Sequence, residues 1–216
     1  SNKERVKIYQ QKNKVLANLH SVDYKAVGLE SYGKPGNYVA RQVSRWTTQY
    51  LASETESIPE MDKLIEWLPK NIPDDDETSI VHGDFRLDNM IYKNHEVIGV
   101  LDWELSTLGH PIADFSYHCL TWRTLPAMQD LKLLKELGIP SEVEYRDMYS
   151  ENTGKDLSKN WEFYMVFNIF KVAAICQGIL GRVRDGTASN KHAEARGMQV
   201  FPLSAGAWSI VEANFK

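Results

Sequence analysis

The chain has 216 residues, is 43% hydrophobic and 25% charged, and carries a formal net charge of −4 with its six histidines neutral. Those values fit one globular domain with a sizeable core. They argue against a general nucleic-acid binder or an anionic-membrane binder. Cys119 and Cys176 lie far apart in apolar helical contexts. The reading is two reduced, buried thiols in a reducing compartment, with a single disulfide as the alternative. The N-terminus is charged and helical rather than basic-then-apolar, so no signal peptide is expected and the location expected is the cytoplasm.

Lys3 to His20 carries a loose helical stripe of Val6, Tyr9, Val15, Leu16 and Leu19. Gly28, Gly33, Pro35 and Gly36 mark a loop, and Tyr38 to Ala52 reads as a second helix with Val39, Val43, Trp46 and Tyr50 on one face. Ser57 and Glu60 resemble a capping box for a helix running to about Lys70. An acidic linker, Pro73 to Glu77, precedes the first strand-like run, Ser79 to Val81. Met90 to Tyr92 and Val97 to Leu101 read as the two strands of a hairpin, with Lys93 to Glu96 as its turn. Leu108 to Pro111 reads as a turn, Ile112 to Trp122 as a helix, and Pro126 to Leu137 as another. Ser141 and Glu144 form a second capping-box pattern, opening a helix through Tyr149. Asn160 to Arg184 is a long apolar helix, and Ala193 to Phe215 a final helix broken near Pro202. Glu162, Asn168, Lys171 and Gln177 interrupt the long helix, which makes it a core helix rather than a membrane span. The fold class expected is mainly α with a small central β-hairpin.

That hairpin sits in the stretch with the chemistry, Ser79 to Trp103. The spacing His82-x-Asp84-x-x-x-x-Asn89, with Asp102 after the hairpin, supplies what phosphoryl transfer needs. Asp84 can orient and deprotonate an attacking hydroxyl. Asn89, through its amide oxygen, and Asp102, through its carboxylate, can hold Mg²⁺, which favours hard oxygen ligands and takes the rest from phosphate and water. Arg86 can meet a transferred phosphate with a bidentate contact. His82 reads as a brace for the loop. A metal-dependent hydrolase using His82, Asp84 and Asp102 is a competing reading, and an Asp/Asn-rich structural turn is the plain one.

At these residues the chain resembles the aminoglycoside phosphotransferase/choline kinase family, which has the protein-kinase-like fold. HGDFRLDN and VLDWELSTLGHPIADF look like that family's catalytic and metal loops, and LANLHSVD, Leu16 to Asp23, like its helix preceding the catalytic loop. The chain is also similar to the kinase-like domain fused to some acyl-CoA dehydrogenases and to its free-standing bacterial relatives. That likeness runs through GLESYGKPGNYVARQVSRWTTQY and NWEFYMVFNIFKVAAICQG. The resemblance implies ATP and Mg²⁺ as cofactors, Asp84 as catalytic base, Asn89 and Asp102 as metal ligands, and Asp114 as a structural carboxylate. Trp103-Glu104 follows the metal aspartate, where protein kinases have Phe-Gly, which favours a small-molecule hydroxyl acceptor.

Ahead of Asp84 the sequence shows no glycine-rich strand-turn-strand and no lysine in an aliphatic strand. Residues 1–216 are therefore expected to form the C-terminal lobe alone, with the N-terminal lobe absent and the chain inactive by itself. Arg182, Arg184 and Arg196, near Lys191 and His192, cluster around one helix connection and lean toward an anionic substrate. The resemblance suggests a hydroxyacyl-CoA or a hydroxy acid. The alternatives are a non-catalytic binding module and an aminoglycoside- or choline-type kinase for a cationic substrate.

Overall fold

A computed structural model describes Ser1–Phe215 and divides the chain into two compact units, Ser1–Gly36 with Asp76–Trp161, and Asn37–Asp75 with Glu162–Lys216. In chain order the elements are α1 (Asn2–His20), α2 (Tyr38–Ser53), α3 (Pro59–Trp67), β1 (Ser79–Val81), β2 (Met90–Lys93), β3 (Glu96–Val100), β4 (Thr107–Gly109), α4 (Pro111–His118), α5 (Thr121–Thr124), α6 (Pro126–Gln129), α7 (Leu131–Leu137), α8 (Glu142–Thr153), α9 (Trp161–Arg184), α10 (Ala193–Gly197) and α11 (Val200–Asn214). Among the described residues no strand precedes Ser79. The chain is mainly helical, as its periodicity predicts, and it holds two small sheets where one hairpin is expected.

In the first unit, β2 and β3 form the expected antiparallel hairpin, with Asn94 and His95 both in the left-handed region at its turn. Two successive positive φ angles match the right-handed twist of the strands. The second sheet was not foreseen. β1 pairs antiparallel with β4, Ile80 opposite Leu108, where the sequence reads as a turn. Three residues are too short for an alternation signal, and the partner is remote in sequence.

α1 packs on α8. Its buried face is Tyr9, Lys12, Asn13, Leu16, Ala17 and His20; of the expected apolar stripe only Tyr9 and Leu16 are buried, three polar groups with partners share that face, and Val6 is exposed. Asn13 Nδ2 donates to the Tyr145 carbonyl at 2.8 Å. Lys12 is 4% exposed, with Nζ 4.4 Å from the Tyr9 ring centroid and 5.5 and 5.9 Å from those of Tyr145 and Trp122. Phe115 is the centre of this core, stacked on Tyr149 at 3.9 Å and on Tyr145 at 5.8 Å. The Ser141–Glu144 capping box forms as expected. The helix predicted over Pro126–Leu137 is two pieces, because Asp130 accepts from Lys132 N–H and Leu133 N–H and so starts a new helix.

In the second unit α11 packs on α3, and α9 supplies most of the core through Phe163, Met165, Val166, Phe167, Phe170 and Ala173. Gln177 donates to the Ser53 carbonyl at 2.8 Å and the Thr55 hydroxyl at 3.0 Å, which satisfies its buried amide nitrogen. α9 is long and apolar enough to cross a membrane by length and composition, and most of that apolar window is buried within the protein. The Ser57–Glu60 capping box does not form. Ile58 is the N-cap, and the Ser57 hydroxyl donates to Asp62 instead. The final break falls at Met198–Gln199, which puts Pro202 in the first turn of α11, where its missing N–H costs nothing. Cys119 and Cys176 are free and buried, one in each unit.

Candidate active site

β1 ends at Val81 and the chain must turn at once. Gly83 allows it: its φ is +85°, and a Cβ there would lie 2.8 Å from the Leu105 carbonyl oxygen. Asp114, in the first turn of α4, fixes the turn. Its Oδ2 accepts from the His82 N–H at 2.8 Å and its Oδ1 from the Gly83 N–H at 2.9 Å. His20 Nε2 reaches Oδ2 at 3.1 Å, and His20 Nδ1 meets the Tyr149 hydroxyl at 2.6 Å. Burial alone would raise the pKa of Asp114. The His20 contact and the two backbone donors outweigh it and hold the carboxyl below its ordinary value.

One turn further along α4, His118 holds the other side of the loop. Its Nδ1 lies 2.6 Å from the Phe85 carbonyl oxygen and its Nε2 lies 3.0 Å from the Tyr145 hydroxyl. The carbonyl can only accept, so Nδ1 carries the proton and Nε2 accepts from Tyr145. Burial first, and the Lys12 charge second, push the His118 pKa well below the usual imidazole range, so the ring is neutral. His82 is also fully engaged: Nδ1 accepts from the Asp84 N–H at 3.3 Å, and Nε2–H donates to the Leu101 carbonyl at 2.9 Å. No lone pair of His82 is left for a cation, which removes the footing of the hydrolase reading.

Asp84 is thus suspended between residues clamped on both sides. Its side chain is 25% exposed. Asn89, buried in the Leu87–Asn89 3₁₀ turn, donates through Nδ2 to the Asp84 carbonyl oxygen at 2.9 Å and to Asp84 Oδ2 at 3.2 Å. This fixes the amide orientation and leaves Asn89 Oδ1 without a hydrogen bond among the described residues. The Leu101 N–H donates to the Asn89 carbonyl at 2.8 Å, tying the base of the hairpin together and bringing Asp102 next to the loop. Asp102 is exposed and left-handed, with φ 66° and ψ 53°, and its carboxylate has no partner among the described residues. Arg86 Nε lies 3.4 Å from Asp84 Oδ2 and 3.8 Å from Asp88 Oδ2, on a side chain 57% exposed.

Asp84, Arg86, Asn89, Asp102, His82 and Asp114 therefore lie in one constellation. The sequence did not reveal His118 and Tyr145. The signal available was that His118 stands four residues after Asp114 on the same helix face. The arginines behave differently. Arg182 and Arg196 line one cavity of the second unit. Arg184 does not: it donates to the Glu54 carbonyl at 2.9 Å and pairs with Asp185 at 2.8 Å.

Comparison with known proteins places the chain in a family. The chain is 46% identical over 210 residues to acyl-CoA dehydrogenase family member 10 of Mus musculus, which covers 94% of this chain and 20% of that protein. It spans about a fifth to a quarter of the curated relatives it matches. A crystal structure of a candidate aminoglycoside phosphotransferase from Ralstonia eutropha superposes with a TM-score of 0.94 at 49% identity, covering 99% of this chain and 67% of that one. A spectinomycin phosphotransferase in complex with ADP and spectinomycin shares the fold alone, with a TM-score of 0.54 at 15% identity over 95% of this chain and 65% of that one. The family model described as "Phosphotransferase enzyme family" matches residues 1–149, the span that carries every residue of the constellation. The chain belongs to that phosphotransferase enzyme family, with its kinase-like fold.

Proposed function

We propose that residues 1–216 form the acceptor-side lobe of an ATP-dependent phosphotransferase that moves the γ-phosphate to a hydroxyl of a small molecule. One observation carries this reading. The loop is held through its backbone by Asp114 and His118, while Asp84 Oδ1, Asn89 Oδ1 and the Asp102 carboxylate have no hydrogen bond among the described residues. Asp84 is the group that orients the acceptor hydroxyl and takes its proton. The Asn89 side-chain amide N–H holds Asp84 in position. Arg86, on the open side of Asp84, is placed to meet the phosphate in transfer.

Asn89 Oδ1 and the Asp102 carboxylate are the pair that would hold Mg²⁺. Two free hard-oxygen donors suit an ion that takes one or two protein ligands and completes its shell from phosphate and water. Among the described residues there is no cluster of three or more His, Cys, Asp or Glu that could hold a metal ion. When bound, the ion would neutralise charge on the nucleotide phosphates. The acceptor proposed is a hydroxy acid or a hydroxyacyl-CoA. It is supported by the likeness to proteins named as acyl-CoA dehydrogenase family members.

The test is ATP-dependent phosphorylation of a panel of hydroxy acids, hydroxyacyl-CoA thioesters, aminoglycosides and choline, using the protein in its native length. Asp84→Asn should lower turnover by roughly 10²–10⁴-fold with the fold intact. Unchanged turnover would remove Asp84 from the mechanism. Phosphorylation of the aminoglycosides or choline alone would overturn the acceptor class. Mg-ATP titration by calorimetry separates an enzyme from a non-catalytic module.

A further inference from the structure

The second unit holds a cavity of about 440 Å³ at the end of α9, where the chain passes to α10. Its apolar wall is Ile175, Ile179, Ala188 and Ala193, and its polar side is Arg182, Ser189, Asn190, His192 and Arg196. No carboxylate lines it. The nearby acid Asp185 is taken by Arg184. Neither the Arg182 nor the Arg196 guanidinium has a hydrogen bond or an ion pair among the described residues. Other arginines are engaged: Arg123 pairs with Glu142, Arg146 donates to the Leu157 carbonyl, and Arg184 donates to the Glu54 carbonyl. Both guanidiniums are exposed to solvent beside the cavity, and each is free to meet a planar oxyanion that matches its fork of donors.

We infer that this cavity is a binding site for an amphipathic organic anion, with a carboxylate or phosphate head between Arg182 and Arg196 and a short aliphatic tail against Ile175 and Ile179. Its volume falls in the range of small-molecule sites, and the mix of apolar wall and few polar groups is what such sites show. Carboxylate and phosphate heads share the chemistry that two guanidiniums recognise. This inference does not depend on phosphoryl transfer, and it narrows the arginine cluster seen in the sequence to two of its three members.

The test is titration calorimetry of the whole chain with hexanoate, hexyl phosphate, inorganic phosphate and 1-hexanol. Binding of hexanoate or hexyl phosphate is expected, weaker for inorganic phosphate and weakest for the alcohol. The tighter of the two amphiphiles identifies the head group. Arg182→Ala and Arg196→Ala should each weaken binding at least tenfold, whereas Arg184→Ala and Asp84→Asn should leave it within twofold. All four side chains are at the surface or in a loop, and thermal melts confirm that the variants fold. Failure of both amphiphiles to bind overturns the site. So does hexanol binding as tightly as the anions, or an equal loss in Arg184→Ala, which would mean diffuse charge. Loss of catalysis in Asp84→Asn with hexanoate or hexyl phosphate still bound keeps the two proposals apart.

Discussion

Lys12→Met should stabilise the protein, and the size of the effect follows from where the ammonium sits. Lys12 is 4% exposed, and burial lowers its pKa from 10.5 to about 8. Holding the charged form at pH 7 therefore costs about 3 kcal/mol relative to the unfolded chain. The rings of Tyr9, Trp122 and Tyr145 face the ammonium, and cation–π attraction of about 0.5–2 kcal/mol offsets part of that cost. Methionine fills a similar volume without charge, so the net gain at pH 7 should be about 1–3 kcal/mol. For a domain of this size that raises Tm by about 2–4 °C per kcal/mol. The pH dependence has a definite sign. Between about pH 8 and 10.5 the unfolded chain binds the Lys12 proton and the folded one does not, so wild-type stability gains on the variant as pH rises through that window. Cys119 and the buried tyrosines act in the opposite direction at high pH, so the measured quantity is the difference between wild-type and Lys12→Met urea midpoints at pH 7 and pH 10. A variant that is destabilised at pH 7, with a difference that does not shrink toward pH 10, would refute the reasoning.

Asp114→Ala should cost about 3–5 kcal/mol, because it strands the His82 and Gly83 amides and the His20 ring together. A urea midpoint within 1 kcal/mol of wild type would deny Asp114 that role. Because the Asp114 pKa is held low, its contribution is complete above the ordinary carboxylate range and fades as pH falls through the depressed value, which acid titration of unfolding would show. Gly83→Ala should lose about 2 kcal/mol or more, since the added Cβ meets the Leu105 carbonyl at 2.8 Å in a left-handed conformation; a neutral result in thermal melts would mean the turn can relax. Tyr145→Phe leaves His118 Nε2 without its donor and should cost about 1–2 kcal/mol, with faster amide exchange around Phe85–Asn89. Unchanged exchange there would show that Tyr145 does not support the loop.

How much of this was legible depends on the range over which each signal acts. The hairpin and the loop motif were readable because β-branched runs and turn residues are local. Asn89 meets Asp84 five residues away, so their meeting follows from one tight turn. β4 was not readable, because its three residues become a strand only by pairing with Ser79–Val81. α1 misled for a different reason. Periodicity counts polar residues as outward, whereas Lys12, Asn13 and His20 point inward with ring or hydrogen-bond partners. The two capping-box patterns were equal in sequence, yet one formed and the other did not, because the N-terminus of α3 fell at Ile58 rather than Ser57. In the sequence the three arginines form one cluster, and only the fold separates Arg184 from the other two.

The clamp on the His82–Asn89 loop has a consequence for synthesis. His20 reaches Asp114 across 94 residues and Tyr149 across 129, and Asn13 reaches Tyr145 across 132. Such contacts repay their loop-closure entropy only after both partners exist. A nascent chain shows HGDFRLDN to the cell well before α8 leaves the ribosome, and in that interval the motif is exposed sequence without its geometry. Slowing translation after Gly109 should therefore lengthen the time during which the motif lacks its long-range partners, although no residue of the motif itself has changed.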